Sequence, residues 1–145
     1  MAENAEVEAP KGVGETLREQ LIDLAREARL KAYAPYSGFR VGAAALFEDG
    51  RTYGGCNVEN ASSGATRCAE QVAICSGVAA GCRRLKAVAV VCEGDSPVWP
   101  CGICLQVIHE FGPDAMVIAA TIDGAVEEAS IRELLPRPFG PSALE

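Results

Sequence analysis

Residues 85–92 read Leu-Lys-Ala-Val-Ala-Val-Val-Cys, and they stand between Cys68-Ala69-Glu70 on one side and Pro100-Cys101-Gly102-Ile103-Cys104 on the other. This β-branched run has the length of a strand and is apolar but for one lysine, the pattern of a strand covered on both faces. Cys68 to Ala80 before it and about Gly102 to Phe111 after it read as helices. A helix, a central strand and a second helix in that order predict a layered α/β domain.

Toward the N-terminus, Leu17, Leu21, Leu24, Ala25 and Ala28 recur at helical spacing, so about Glu15 to Tyr33 reads as an amphipathic helix. Ala34-Pro35-Tyr36-Ser37-Gly38 breaks it. Phe39 to Phe47 is small and apolar and reads as a buried strand. Glu48-Asp49-Gly50 is a hairpin turn with Arg51 to Asn57 as the partner strand, and Asn60 to Thr66 is a polar loop. Toward the C-terminus, Gly94 to Pro100 reads as a loop, Ala115 to Thr121 as a strand, Asp123-Gly124 as a turn and Ala125 to Ala129 as a last short strand. Ser130 caps a brief helix, with Glu133 completing a capping box. The order α-β-β-α-β-α-β-β-α fits a mixed sheet with helices on both faces. Residues 1–14 read as a disordered leader, 15–140 as a single domain and 141–145 as a tail.

The chain has 145 residues, 49% of them apolar and 23% charged, the balance of an ordinary globular domain. Its formal net charge is −7, with no run of Lys or Arg. Such a surface repels polyanions, so DNA and RNA are not expected partners and a small neutral substrate is. No apolar run reaches the ~18 residues of a membrane span. Met1 to Gly14 is acidic and polar, unlike a secretory signal. Seven cysteines, an odd number, point to free thiols in a reducing interior, and the cytoplasm is the expected compartment.

Cys68, Cys101 and Cys104 offer a zinc ion three ligands and leave a fourth position for water, whereas structural zinc is normally closed by four protein ligands. With Cys68 at one helix start and Cys101 and Cys104 at another, two positive helix ends converge on the cluster and offset its thiolate charge. Arg67, next to Cys68, is a second candidate for that compensation. Glu70 is turned by about 200° from Cys68 on a helix, so it is not a ligand and faces the water instead. Two competing readings remain at this level. Cys-Gly-Ile-Cys is also a redox pair, which leaves Cys68-Ala69-Glu70 without a role. A closed four-cysteine site would recruit Cys56, Cys75 or Cys92. Otherwise Cys75 and Cys82, with Cys56 and Cys92, read as small core residues, and His109 as a partly exposed helix residue.

Cys-x-Glu followed by Pro-Cys-x-x-Cys matches the zinc deaminase pattern in its three-cysteine form. From about Leu17 to Phe139 the chain resembles the small cytidine deaminases. The likeness runs through Tyr33-Ala34-Pro35-Tyr36-Ser37, Phe39-Arg40-Val41-Gly42-Ala43-Ala44 and Gly55-Cys56-Asn57-Val58-Glu59-Asn60-Ala61. It continues through both metal motifs, Gln106-Val107-Ile108, and Leu134-Leu135-Pro136 with Phe139. The resemblance implies a three-layer α/β/α sandwich around a five-stranded mixed sheet, one zinc ion per subunit and a homotetramer. It implies hydrolytic deamination of cytidine or deoxycytidine in pyrimidine salvage. By matching position, Cys68, Cys101 and Cys104 hold zinc and Glu70 shuttles protons between water, a ring nitrogen and the leaving amine. Asn57 and Glu59 grip the sugar hydroxyl, and Phe39 and Ala69 contact the nucleoside. Phe139 reaches the base in a neighbouring subunit. The chain departs from the family at Gln71 and Leu105, where arginine is common, at Ser63, where a tyrosine is common nearby, and at the bulky Trp99. These departures keep open a relative acting on a modified cytosine nucleoside such as blasticidin S.

Overall fold

The computed structural model describes residues 12–145. Its elements are α1 (Glu15–Arg29), β1 (Val41–Phe47), β2 (Thr52–Cys56), α2 (Ala69–Ala79), β3 (Leu85–Cys92), α3 (Gly102–Phe111), β4 (Met116–Thr121), β5 (Val126–Ser130) and the single turn α4 (Ile131–Leu134). Two 3₁₀ turns, Ser63–Ala65 and Pro141–Leu144, complete it, the second within the expected tail. The strands form one mixed sheet in the order β2-β1-β3-β4-β5, with β3 and β4 parallel and every other pair antiparallel.

Period-2 alternation in β1 and β3 separates two cores. Ala44, Leu46, Ala87, Ala89 and Val91 pack with Leu21, Ile22 and Ala25 of α1 on one face. Ala43, Ala45, Phe47 and Val88 pack with Ala69, Ala73 and Ile74 of α2 and Ile108 of α3 on the other. The result is the expected α/β/α sandwich. Burying a Leu, Ile or Val side chain in such a layer contributes about 1.5–3 kcal/mol. The alanines let the helices lie close to the sheet. Two strand glycines bring the layers closer still: a Cβ at Gly42 in β1 would run into the Ala25 carbonyl oxygen of α1, and one at Gly55 in β2 would stand 2.6 Å from the Ala69 carbonyl oxygen of α2. The parallel pair β3–β4 requires a crossover, and α3 is that crossover. Its first turn therefore opens at the carboxyl end of β3, where ligand crevices form in α/β sheets.

Several expected boundaries shift. The first helix stops at Arg29 rather than Tyr33. Leu30 and Lys31 donate back to the carbonyls three residues earlier, while the Tyr33 N–H bonds Asn57 O at 3.0 Å and Tyr33 bridges Val58. Pairing with a distant segment thus overrides the helical pattern. The first strand starts at Val41, not Phe39, because the Asn57 side chain occupies the groups a partner strand would use. β2, β4 and β5 differ from expectation by a residue at one or both ends. Ser130 caps α4 as expected by accepting the Glu133 N–H at 3.3 Å, but Glu133 Oε1 accepts from the Ser130 hydroxyl rather than its backbone. Most of the expected leader lies outside the described residues. Among the described residues no helix is long and apolar enough to cross a membrane.

Candidate active site

Both helices that carry the sulfur atoms begin at a cysteine. Cys68 is the N-cap of α2 (φ −73°, ψ 155°) and Cys101 the N-cap of α3 (φ −68°, ψ 170°), and neither side chain caps its own helix. Cys104 follows one turn into α3 and is buried. The three Sγ atoms lie within 4.8 Å of one another, with those of Cys101 and Cys104 3.6 Å apart. Ligands at about 2.3 Å in a tetrahedron around zinc stand about 3.8 Å apart, so this donor set fits the ion.

Glu70 sits in the first turn of α2, only 4% exposed. Burial pushes its carboxyl above the ordinary carboxylate range, partly opposed by the Cys104 thiol. Burial likewise raises the Cys104 thiol, with Glu70 adding to it, and burial raises Cys68. At Cys101 burial is outweighed by hydrogen bonds from the Cys104 backbone and thiol, and its thiol moves down. With Glu70 and Cys104 buried and Cys68 half-buried, three clustered sulfur atoms and a carboxylate are costly as anions unless a cation joins them. The geometry thus favours a metal, not a redox pair.

Cys56, Cys75 and Cys92 stand outside the sulfur cluster, which overturns the four-cysteine alternative among the described residues. Cys75 is a further correction. It is exposed, because the buried stripe of α2 runs through Ala69, Glu70, Ala73, Ile74 and Gly77. Cys82 is buried beyond the end of that helix, its sulfur 3.6 Å from Asp49 Oδ2. Cys92 is buried, Cys56 half-buried, and His109 half-buried on α3. Arg67 does not reach the cluster; its guanidinium donates to the Gly64 and Thr66 carbonyls at 3.2 and 3.0 Å. Gln71 does instead, its amide donating to Cys104 Sγ at 3.7 Å. Leu105 packs against the core, and Ser63 lies in the exposed 3₁₀ turn.

A cavity of about 330 Å³ opens over Glu70. Cys68, Cys101, Ala69, Phe39, Asn57 and Glu59 line it, as does Trp99, one of the departures from the family pattern, together with Ser37 and Val98, which motif matching alone gave no contact role. Asn57 is 8% exposed, its Oδ1 accepting from Val41 N at 2.9 Å and its Nδ2 donating to Phe39 O at 2.8 Å. Glu59 accepts from the 36–37 segment. Phe39 is 42% exposed at the cavity wall. Phe139 is 60% exposed and outside that wall, its carbonyl accepting from Gln106 Nε2 at 2.7 Å.

A tri-sulfur cradle at two convergent helix starts, with a buried acid beside it on an α/β/α sandwich, defines the class of zinc-dependent hydrolytic deaminases. Residues 15–120 match the family model described as the cytidine and deoxycytidylate deaminase zinc-binding region, and the chain belongs to that family. It is 48% identical over 122 residues to a cytidine deaminase of Sporosarcina psychrophila, covering 83% of this chain and 90% of the relative. Identity is 46% over 123 residues to a cytidine deaminase of Halalkalibacterium halodurans, covering 84% and 93%. The crystal structure of cytidine deaminase from Burkholderia pseudomallei superposes with a TM-score of 0.81 at 48% identity, covering 83% of this chain and 98% of that one.

Proposed function

We propose that this chain is a zinc-dependent cytidine deaminase, converting cytidine or deoxycytidine and water to the uracil nucleoside and ammonia. One observation carries the reading: the buried Glu70 carboxyl stands beside three converging cysteine sulfurs at a cavity large enough for one nucleoside. Cys68, Cys101 and Cys104 would hold zinc, which would supply a Lewis acid able to make a water acidic enough to lose a proton near neutrality. Glu70 takes that proton and delivers it to the ring nitrogen beside the carbon under attack. It then takes the proton of the newly added hydroxyl, which becomes the carbonyl oxygen, and passes it to the departing amine as the carbon–nitrogen bond breaks. Its burial raises its proton affinity toward working pH, which suits a group that must both accept and donate. The N-termini of α2 and α3 and the Gln71 amide spread the negative charge of the sulfur cradle.

Phe39, Asn57, Glu59 and Ala69 form the nucleoside-binding wall, Glu59 accepting from a sugar hydroxyl and Asn57 fixing the backbone of Phe39. The exposed Phe139 ring completes a neighbouring subunit's site in a homotetramer. The 15–140 unit is the catalytic domain, working in the cytoplasm in pyrimidine salvage on free nucleosides rather than polymers. The relatives at 46–48% identity carry the name cytidine deaminase, which does not favour a blasticidin-type substrate.

Incubation with cytidine tests the reading directly. Uridine and ammonia form in equal amounts, deoxycytidine follows, and a chelator stops the reaction until zinc is restored. Purified protein that carries stoichiometric zinc yet leaves both nucleosides intact refutes it. Size-exclusion chromatography with light scattering tests the tetramer.

A further inference from the structure

One short segment of the cavity wall is held by an unusual share of hydrogen bonds. Glu59 Oε1 accepts the N–H groups of Tyr36 and Ser37 at 2.9 and 3.1 Å, and its Oε2 accepts the Ser37 hydroxyl at 2.5 Å. That hydroxyl oxygen in turn accepts the Phe39 N–H at 3.0 Å. Gly38 makes this possible with φ 68°, a conformation other residues avoid, which turns the Phe39 N–H back onto Ser37. A serine hydroxyl has one proton, and with Phe39 donating into its oxygen that proton belongs to Glu59. The Phe39 carbonyl is held separately by Asn57 Nδ2 at 2.8 Å. Ser37, Phe39 and Glu59 all face the cavity.

We infer that Ser37 is a positioning residue for nucleoside binding, its hydroxyl locking the Glu59 carboxylate and the Phe39 backbone into one unit. The inference rests on the deaminase reading above. The Ser37 hydroxyl, followed by the Ser37 and Tyr36 N–H groups, holds the Glu59 carboxyl below the usual carboxylate range. Glu59 is thus an acceptor only, with lone pairs left for a sugar hydroxyl, and Ser37 sets the direction in which they point. Without that hydroxyl the carboxylate swings, while Asn57 still holds Phe39 from the carbonyl side. The loss therefore falls on sugar recognition. Glu70 and the sulfur cluster do not touch this knot, so the chemical step is spared.

The test pairs Ser37→Ala with two substrates, cytidine and 2′,3′-dideoxycytidine, which lacks the hydroxyls Glu59 would accept. For cytidine KM rises about tenfold and kcat stays within about twofold, the worth of a charged hydrogen bond discounted for an exposed loop. For dideoxycytidine KM changes by less than about twofold. Ser37→Thr keeps the hydroxyl and restores cytidine KM. Trp99, the only tryptophan and a cavity residue, reports affinity by its fluorescence without turnover. An equal KM penalty on both substrates, no penalty, or a loss confined to kcat overturns the inference and leaves the deaminase standing. Wild-type protein inert toward cytidine removes the deaminase reading and this inference with it.

Discussion

Gly55→Ala tests whether β2 sets the position of the reacting groups. A Cβ at residue 55 would stand 2.6 Å from the Ala69 carbonyl oxygen, and nearer still to the Ala73 nitrogen. Both are backbone atoms of α2, so no rotamer change relieves the clash. A carbon–oxygen contact needs about 3.2 Å, so α2 or β2 must move by roughly 0.6 Å or more. Overpacking of this kind costs about 1–3 kcal/mol. For a chain of this size each kcal/mol lowers Tm by about 2–4 °C, which places the fall at roughly 2–12 °C. The activity effect is larger, because the displaced turn carries Cys68 and Glu70. A misplacement of about 1 Å costs about 10²-fold, so about a tenfold loss of kcat follows from the smaller shift. Calorimetry and steady-state kinetics measure the two effects. Gly64→Ala is the control, since a Cβ there meets nothing within 4 Å. A Gly55→Ala protein with unchanged Tm and kcat would show that the packing of β2 on α2 does not place the site.

Three further outcomes are expected. Glu70→Gln lowers kcat by about 10²–10⁴-fold with zinc content unchanged; concurrent loss of zinc would make Glu70 a ligand instead. Gln71→Ala removes the amide from Cys104 and weakens zinc about tenfold in chelator competition, within the range for outer-shell partners, while Arg67→Ala does not; equal effects of the two variants contradict the assignment. The depressed Glu59 pKa stabilises the 36–37 segment fully above the ordinary carboxylate pKa, and that stability is lost as pH falls through the native value. Amide exchange at Tyr36 and Ser37, corrected for its intrinsic pH dependence, therefore shows protection that falls only once pH drops below the ordinary carboxylate pKa; constant protection through that range speaks against the carboxylate anchor.

The metal ligands were legible because zinc chemistry restricts residue type and spacing together, and Cys68, Cys101 and Cys104 do meet. The central strands were legible because β1 and β3 are buried on both faces and read as continuous apolar runs. What escaped depends on partners far away in sequence. Tyr33 ends the first helix through a bridge to Val58, and no local signal announces it. Cys75 reads as a core residue because it recurs two helical turns past Cys68, but Cys68 caps α2 instead of lying on its buried stripe. Arg67 is adjacent to a ligand in sequence, yet its side chain turns to loop carbonyls, while Gln71, a helical turn past the cap, faces Cys104. The Ser37 knot joins residues 22 positions apart and is invisible to any short motif.

Cys68 precedes β3 and Cys101 follows it, so an ion shared by both ties α2 to α3 across 33 positions of chain. In that respect it acts as a removable cross-link. Closing a loop of that length restricts the denatured chain by an amount equivalent to roughly 4 kcal/mol on the entropic model used for disulfides. Stripping the ion would therefore loosen the whole sandwich as well as silence its chemistry, and metal supply would govern how long the folded protein lasts.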